Sequence, residues 1–124
     1  MITEDYVSFE TAKLLKEKGF DEKCRTYYKV FPKDRIAAIY HSSEDRGVSE
    51  DDPNEILCPT LQMAMKWLRE EYRLFVNIEP LSGIKYTWSI WFMNESKEEE
   101  SSLVYDTYEQ ACEAAIRYCL EYLI

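Results

Sequence analysis

Residues 84–92 change character at almost every step. Ile84, Tyr86, Trp88, Ile90 and Phe92 are apolar or aromatic, and Lys85, Thr87 and Ser89 between them are polar; Trp91 breaks the polar series. Successive side chains of a β-strand point to opposite faces, so this period of two predicts a strand with one face on a core and the other toward solvent. The segment 74–79 has the same pattern, with Leu74, Val76 and Ile78 inward. Pro80-Leu81-Ser82-Gly83 lies between the two segments and supplies a turn. Together they predict an antiparallel hairpin with one dry face.

Three helical patterns are available to pack on one face of the hairpin, and the alternation does not select which. Ser8 is a good N-cap for a helix over about 9–18, with Phe9, Ala12 and Leu15 at helical spacing. Gly19 supplies the left-handed conformation that ends it. With Gly19 at C′, Phe20 falls at C″ and Leu15 at C3, the apolar pair of a Schellman motif. A second helix starts near Pro59-Thr60, with Leu61, Ala64, Met65, Leu68 and Tyr72 as its apolar stripe and Trp67 at the margin. For the third, Asp106 is the expected N-cap with Glu109 at N3, an acidic capping box. Tyr108, Ala111, Cys112, Ala115, Cys119 and Leu123 form its apolar face, and Glu113 and Arg117 stand at the favourable i,i+4 spacing.

An aromatic and β-branched run at 25–31, a turn at Pro32-Lys33-Asp34-Arg35 and a returning strand at 36–41 predict a second hairpin. Residues 42–55 hold six acids and almost no apolar side chain, and 94–102 is a second acidic stretch; both are expected to be mobile loops. Leu103-Val104-Tyr105 is a short further strand. The order is α-β-β-α-β-β-β-α. The expected fold class is α+β in two layers, an antiparallel sheet built from hairpins with about three helices on one face. The two α-β-β units are compatible with a degenerate duplication.

The chain of 124 residues suits one domain, 1–124, large enough to fold without a disulfide or a metal. Fifteen basic against twenty-four acidic residues give a net charge of -9, which argues against direct nucleic-acid binding and against an anionic membrane. No stretch is apolar enough to span a bilayer, and the Met1-Ile2-Thr3-Glu4-Asp5 start lacks a secretory signal, so the cytoplasm is the expected location. Cys24, Cys58, Cys112 and Cys119 contain no C-x-x-C pair. Cys112 and Cys119, seven apart, share one helix face and are expected in the core.

Catalytic constellations are scarce. The three glycines are isolated at 19, 47 and 83, so no phosphate-binding loop is available, and His41 is the single histidine. A Cys-His nucleophile would have to pair His41 with one of the four cysteines, and a zinc site would need three of them with His41. No catalytic, cofactor-binding or metal-binding residue is assigned, and no cofactor is expected. The polar face of the 74–92 hairpin is more informative. There Phe75 and Trp91 stand among Asn77, Glu79, Thr87 and Ser89. Large aromatics on an otherwise polar face are candidate anchors for a protein partner or for self-association. The acids could also form a field attractive to basic partners.

Three segments, 8–20 (SFETAKLLKEKGF), 59–70 with its Pro-Thr-Leu-Gln start and Trp-Leu-Arg-Glu end, and the "YDTYEQA" helix start at 105–111, occur here in one order. As a set they resemble a family of short uncharacterised proteins frequent in gut Bacteroidales genomes and in their phages and mobile elements. The resemblance covers nearly the whole chain. It carries no activity and no site residues; it implies cytoplasmic expression and allows a mobile-element origin. The leading expectation is therefore a non-enzymatic, protein-binding accessory factor. The alternatives are a small-ligand binder or enzyme with a pocket near Trp67, Trp88 and His41, and a structural subunit of a larger assembly.

Overall fold

The computed structural model describes residues 2–31, 36–49 and 52–124, so the expected turn at Pro32–Arg35 lies outside the described residues. The chain runs α1 (Phe9–Glu17), β1 (Cys24–Phe31), β2 (Ile36–Arg46), β3 (Glu55–Leu57), α2 (Leu61–Tyr72), β4 (Leu74–Leu81), β5 (Lys85–Phe92), β6 (Lys97–Glu100) and α3 (Tyr108–Tyr118). A π-helical turn over Cys119–Leu123 extends α3. The fold is α+β, with the expected order plus one short strand, β3. Its strands form two antiparallel sheets, β2-β1-β3 and β4-β5-β6. The central strand comes first in one sheet and second in the other, so the two halves do not share a topology.

Local chemistry explains the helix ends. The Ser8 hydroxyl accepts from Thr11 N–H at 3.2 Å, and the Thr60 hydroxyl accepts from Met63 N–H at 3.1 Å. At the end of α1, Phe20 N–H donates to Leu15 C=O at 2.9 Å and Gly19 N–H to Lys16 C=O at 3.1 Å, the two bonds of a Schellman motif. Gly19 has φ +90°. The third cap differs from expectation. Thr107, not Asp106, caps α3 through Gln110 N–H at 3.0 Å, while Gln110 Oε1 accepts from Asp106 N–H at 3.2 Å. Gln110 thus bonds Thr107 through its backbone and Asp106 through its side chain, and the Asp106 side chain is taken by Lys85.

The hairpin of β4 and β5 sets the layering. Leu74, Val76, Trp88 and Ile90 are buried on one face, as their alternation requires, with Ile78 and Phe92 packed beside them. Ile84 departs from the pattern and is exposed, because it precedes the paired part of β5. α2 packs against β4, α3 lies across β4 and β5, and α1 packs against β3 and α3. Leu15, Leu68, Ile90, Ile116 and Leu120 form the fully buried centre. Trp67 is buried rather than marginal, edge-on to Phe20 at 5.4 Å, and Tyr72 is the exposed member of the expected stripe instead. Ile116 and Leu120 extend the apolar face of α3 beyond the expected stripe, because α3 contacts α1 and α2 as well as the sheet.

Both acidic stretches prove partly ordered into strands. Ser42–Arg46 continues β2, and Glu55 opens β3, which pairs with β1 through Lys29↔Glu55, Tyr28↔Ile56 and Tyr27↔Leu57. β6 lies inside the second stretch and pairs with β5 from Ser89↔Glu100 to Phe92↔Lys97. An exposed edge strand tolerates charge because its pairing is backbone pairing, and charge guards it against edge-to-edge association. Of the expected strand at 103–105, one bridge remains, Tyr86↔Tyr105. No helix among the described residues is long and apolar enough to cross a membrane.

Candidate functional site

The buried apolar side chains of β4 and β5 all lie on the even-numbered face, and α2 and α3 pack on these strands. The odd-numbered face carries the six residues singled out in the sequence, and the register brings them into rows. Phe75 lies opposite Trp91, Asn77 opposite Ser89 and Glu79 opposite Thr87. β6 extends two of the rows, with Glu98 beside Trp91 and Glu100 beside Ser89. Directly opposed residues in an antiparallel pair are about 4.5–5.5 Å apart, within mutual reach of large side chains.

Phe75 is 41% exposed and Trp91 51%, while Trp88, three residues from Trp91 on the opposite face, is 6% exposed. Phe75 and Trp91 line a groove of about 620 Å³ with Met93, Glu95, Lys97 and Glu98. The polar half of the face is internally bonded. Asn77 Nδ2 donates to Glu79 Oε1 at 3.0 Å and to Ser89 Oγ at 3.4 Å, and Ser89 Oγ donates to Glu79 Oε1 at 3.5 Å. These neighbours bury Ser89, although it lies on the solvent side of the sheet. Thr87 Oγ1 donates to Leu103 C=O at 3.1 Å, so residues 101–103 fold against that end of the face.

Charge on the face is predominantly negative. A hydrogen bond with Glu100 raises the pKa of Glu98 above the ordinary carboxylate value, aided by desolvation and by the charges of Glu100 and Glu79. At the β4 end, the guanidinium carbon of Arg69 lies 5.9 Å from the Phe75 ring centre. Lys85, at the far end of β5, is paired with Asp106.

The residues expected around a ligand pocket occupy three separate surroundings. Trp67 packs on Phe20 and Tyr72. His41 packs edge-on to Tyr6, and its Nδ1 is hydrogen-bonded to Thr26 Oγ1 at 3.1 Å. Trp88 borders a groove with Tyr118 and Tyr122 that neither Trp67 nor His41 reaches. The four cysteines are free and buried. Burial pushes Cys24 and Cys112 up to about 11 and Cys58 and Cys119 up to about 12, which keeps them as thiols rather than nucleophilic thiolates. Cys58 Sγ–H donates to Val7 C=O at 3.4 Å, and Cys24 Sγ–H to Glu22 C=O at 3.4 Å; neither meets His41. Among the described residues, no three His, Cys, Asp or Glu side chains are placed to hold a metal ion.

Sequence reasoning missed the contribution of β6. Glu98 and Glu100 complete the face, and the charge run at 97–100 carries no strand alternation that would have marked them. Comparison with protein-family models, curated proteins and solved structures finds no match for this chain.

Proposed function

We propose that the chain is a protein-binding accessory factor of the cytoplasm whose docking surface is the odd-numbered face of β4, β5 and β6. The observation that carries this reading is the pairing of Phe75 with Trp91. Two large rings stand directly opposite each other and stay half-exposed, while the helices pack on the other side of the same strands. Aromatic side chains supply much of the energy of protein interfaces, since each buries a large area at little conformational cost. The surrounding hydrogen-bonded polar network is pre-ordered, which lowers the entropy cost of docking. A mobile-element origin, as the family resemblance allows, fits such a role.

The test compares the tagged wild type with the Phe75→Ala/Trp91→Ala double variant in pull-downs from a native-host lysate. Capture of one defined protein by the wild type, with loss in a double variant of unchanged circular dichroism and urea midpoint, supports the reading. Equal capture by both proteins overturns the assignment of the face. Light scattering on both proteins identifies self-association if the bound species is a second copy.

A further inference from the structure

We infer that the element this face receives is a cationic segment, docked with an arginine guanidinium over Trp91 and against Glu98. This rests on the reading of the face as a docking surface and adds the chemistry of its partner.

The chain contains its own template for the contact. In the other sheet, the Arg46 guanidinium carbon sits 4.2 Å from the ring centre of Tyr27 and Arg46 is ion-paired with Glu55. Tyr27 and Glu55 lie on adjacent strands and share one sheet face, since Glu55 pairs with Lys29, two residues from Tyr27. One planar cation therefore satisfies an aromatic face and a carboxylate together. Trp91 and Glu98 repeat this arrangement more closely, as directly opposed residues on β5 and β6. Among the described residues no cation lies over Trp91, and Glu98 makes no ion pair.

Charge complementarity selects the occupant. Glu79, Glu98 and Glu100 project from this face and Glu95 borders the groove. The cations nearby are engaged, Arg69 at Phe75, Lys85 with Asp106, and Lys97, at the edge of the groove, over Phe92 and with Glu99. An apolar partner would leave Glu98 and Glu100 crowded and desolvated, whereas a guanidinium relieves their repulsion as it stacks on the indole. Arginine suits the position better than lysine because its flat, weakly hydrated fork stacks and bonds at once. A second copy of this chain, at net charge -9, brings repulsion to the contact.

The experiment titrates the full chain by calorimetry with four acetylated, amidated decapeptides alternating Thr with Arg, Lys, Glu or Val. The expected result is binding of the Arg peptide, several-fold weaker binding of the Lys peptide, and none of the Glu peptide. Trp91→Ala and Glu98→Gln/Glu100→Gln should each weaken the Arg peptide about tenfold, within the range of a partly desolvated cation–aromatic contact. Glu10→Gln/Glu17→Gln on α1 removes the same charge elsewhere and should change it less than about threefold, as expected of distant, screened charges. Equal losses in the two charge-matched pairs, or no effect of Trp91→Ala, would show general electrostatic attraction and overturn the inference. Absence of binding by every peptide overturns it as well. Trp91-dependent binding of the Val peptide in place of the Arg peptide also overturns it, yet leaves the face standing as a docking surface.

Discussion

Thr11 in α1 donates its buried hydroxyl hydrogen to the Glu113 carboxylate of α3, across 102 positions of sequence. The same oxygen accepts Ser8 N–H at 3.0 Å, so one carboxylate serves both the start of α1 and a side chain one turn inside it. Hydrogen bonds to a charged group contribute about 1.5–3 kcal/mol each, and a buried donor left alone costs about 1–3 kcal/mol. Glu113→Ala should therefore lower the unfolding free energy by about 2–3 kcal/mol and Thr11→Val by about 1–2 kcal/mol. The two losses should fall short of additive when combined, because they remove one contact. Urea denaturation of the four proteins in this cycle measures both effects; full additivity would show that the bond contributes nothing.

The two left-handed positions at helix ends predict opposite signs. Gly19 has φ +90° with nothing within 4 Å of an added Cβ, so Gly19→Ala meets backbone strain and no clash. The cost should be about 1–2 kcal/mol, that of an L-residue in this region. Arg73 ends α2 at φ 56° and is the one non-glycine residue at positive φ among the described residues. Arg73→Gly removes comparable strain but adds freedom to the unfolded chain, for a net gain of up to about 1 kcal/mol. Thermal unfolding of the pair reads the two signs; a loss at Arg73→Gly would mean that its side chain stabilises the helix end by more than the strain costs.

The Schellman end of α1 was legible in the sequence because every participant lies within six residues and Gly19 admits few alternatives. The Phe75/Trp91 face was legible for a similar reason, since a period of two fixes which side chains share a face without reference to the rest of the chain. β6 was not. Lys97-Glu98-Glu99-Glu100 has no apolar alternation, and it becomes a strand because β5 offers it a free edge. The division into two sheets was also hidden, as it depends on β3 returning to β1 from beyond residue 52. Thr11 and Glu113 read as an ordinary helix residue and as a partner for Arg117. Their contact appears only once α1 meets α3, and Arg117 then pairs with Glu121 at 3.0 Å.

Alkaline pH should destabilise the fold through its thiols. Unfolded cysteines ionise from about pH 8.5 upward. The folded protein holds Cys24 and Cys112 protonated to about 11 and Cys58 and Cys119 to about 12. Between those limits the folded state binds more protons than the unfolded one, so stability falls as pH rises. Each thiol contributes up to about 1.4 kcal/mol per pH unit in that window. Urea midpoints should drop between pH 8 and 10.5, and Cys58→Ala, although less stable at pH 7, should show a shallower drop. The same thiols should resist iodoacetamide at pH 8 until urea exposes them. A flat midpoint across this range would contradict the burial of the thiols.

Trp88 and Trp91 belong to one strand and should answer truncation in opposite ways. Trp88 packs against Tyr118 at 5.0 Å between ring centres and lies beneath α3. Removing its ring empties the core, and Trp88→Ala should cost about 3–5 kcal/mol. Trp91 faces solvent beside Phe75, so its loss leaves no cavity, and Trp91→Ala should cost no more than about 1 kcal/mol. Fluorescence separates the two rings as well. Iodide should quench the Trp91 contribution in the folded protein and leave the buried Trp67 and Trp88 bright, and the quenchable fraction should vanish in Trp91→Ala. Occupation of the face should protect the same fraction, which gives docking a readout independent of stability. A Trp91→Ala variant that unfolds as readily as Trp88→Ala would make the ring part of the core, and the docking surface would lose its principal contact.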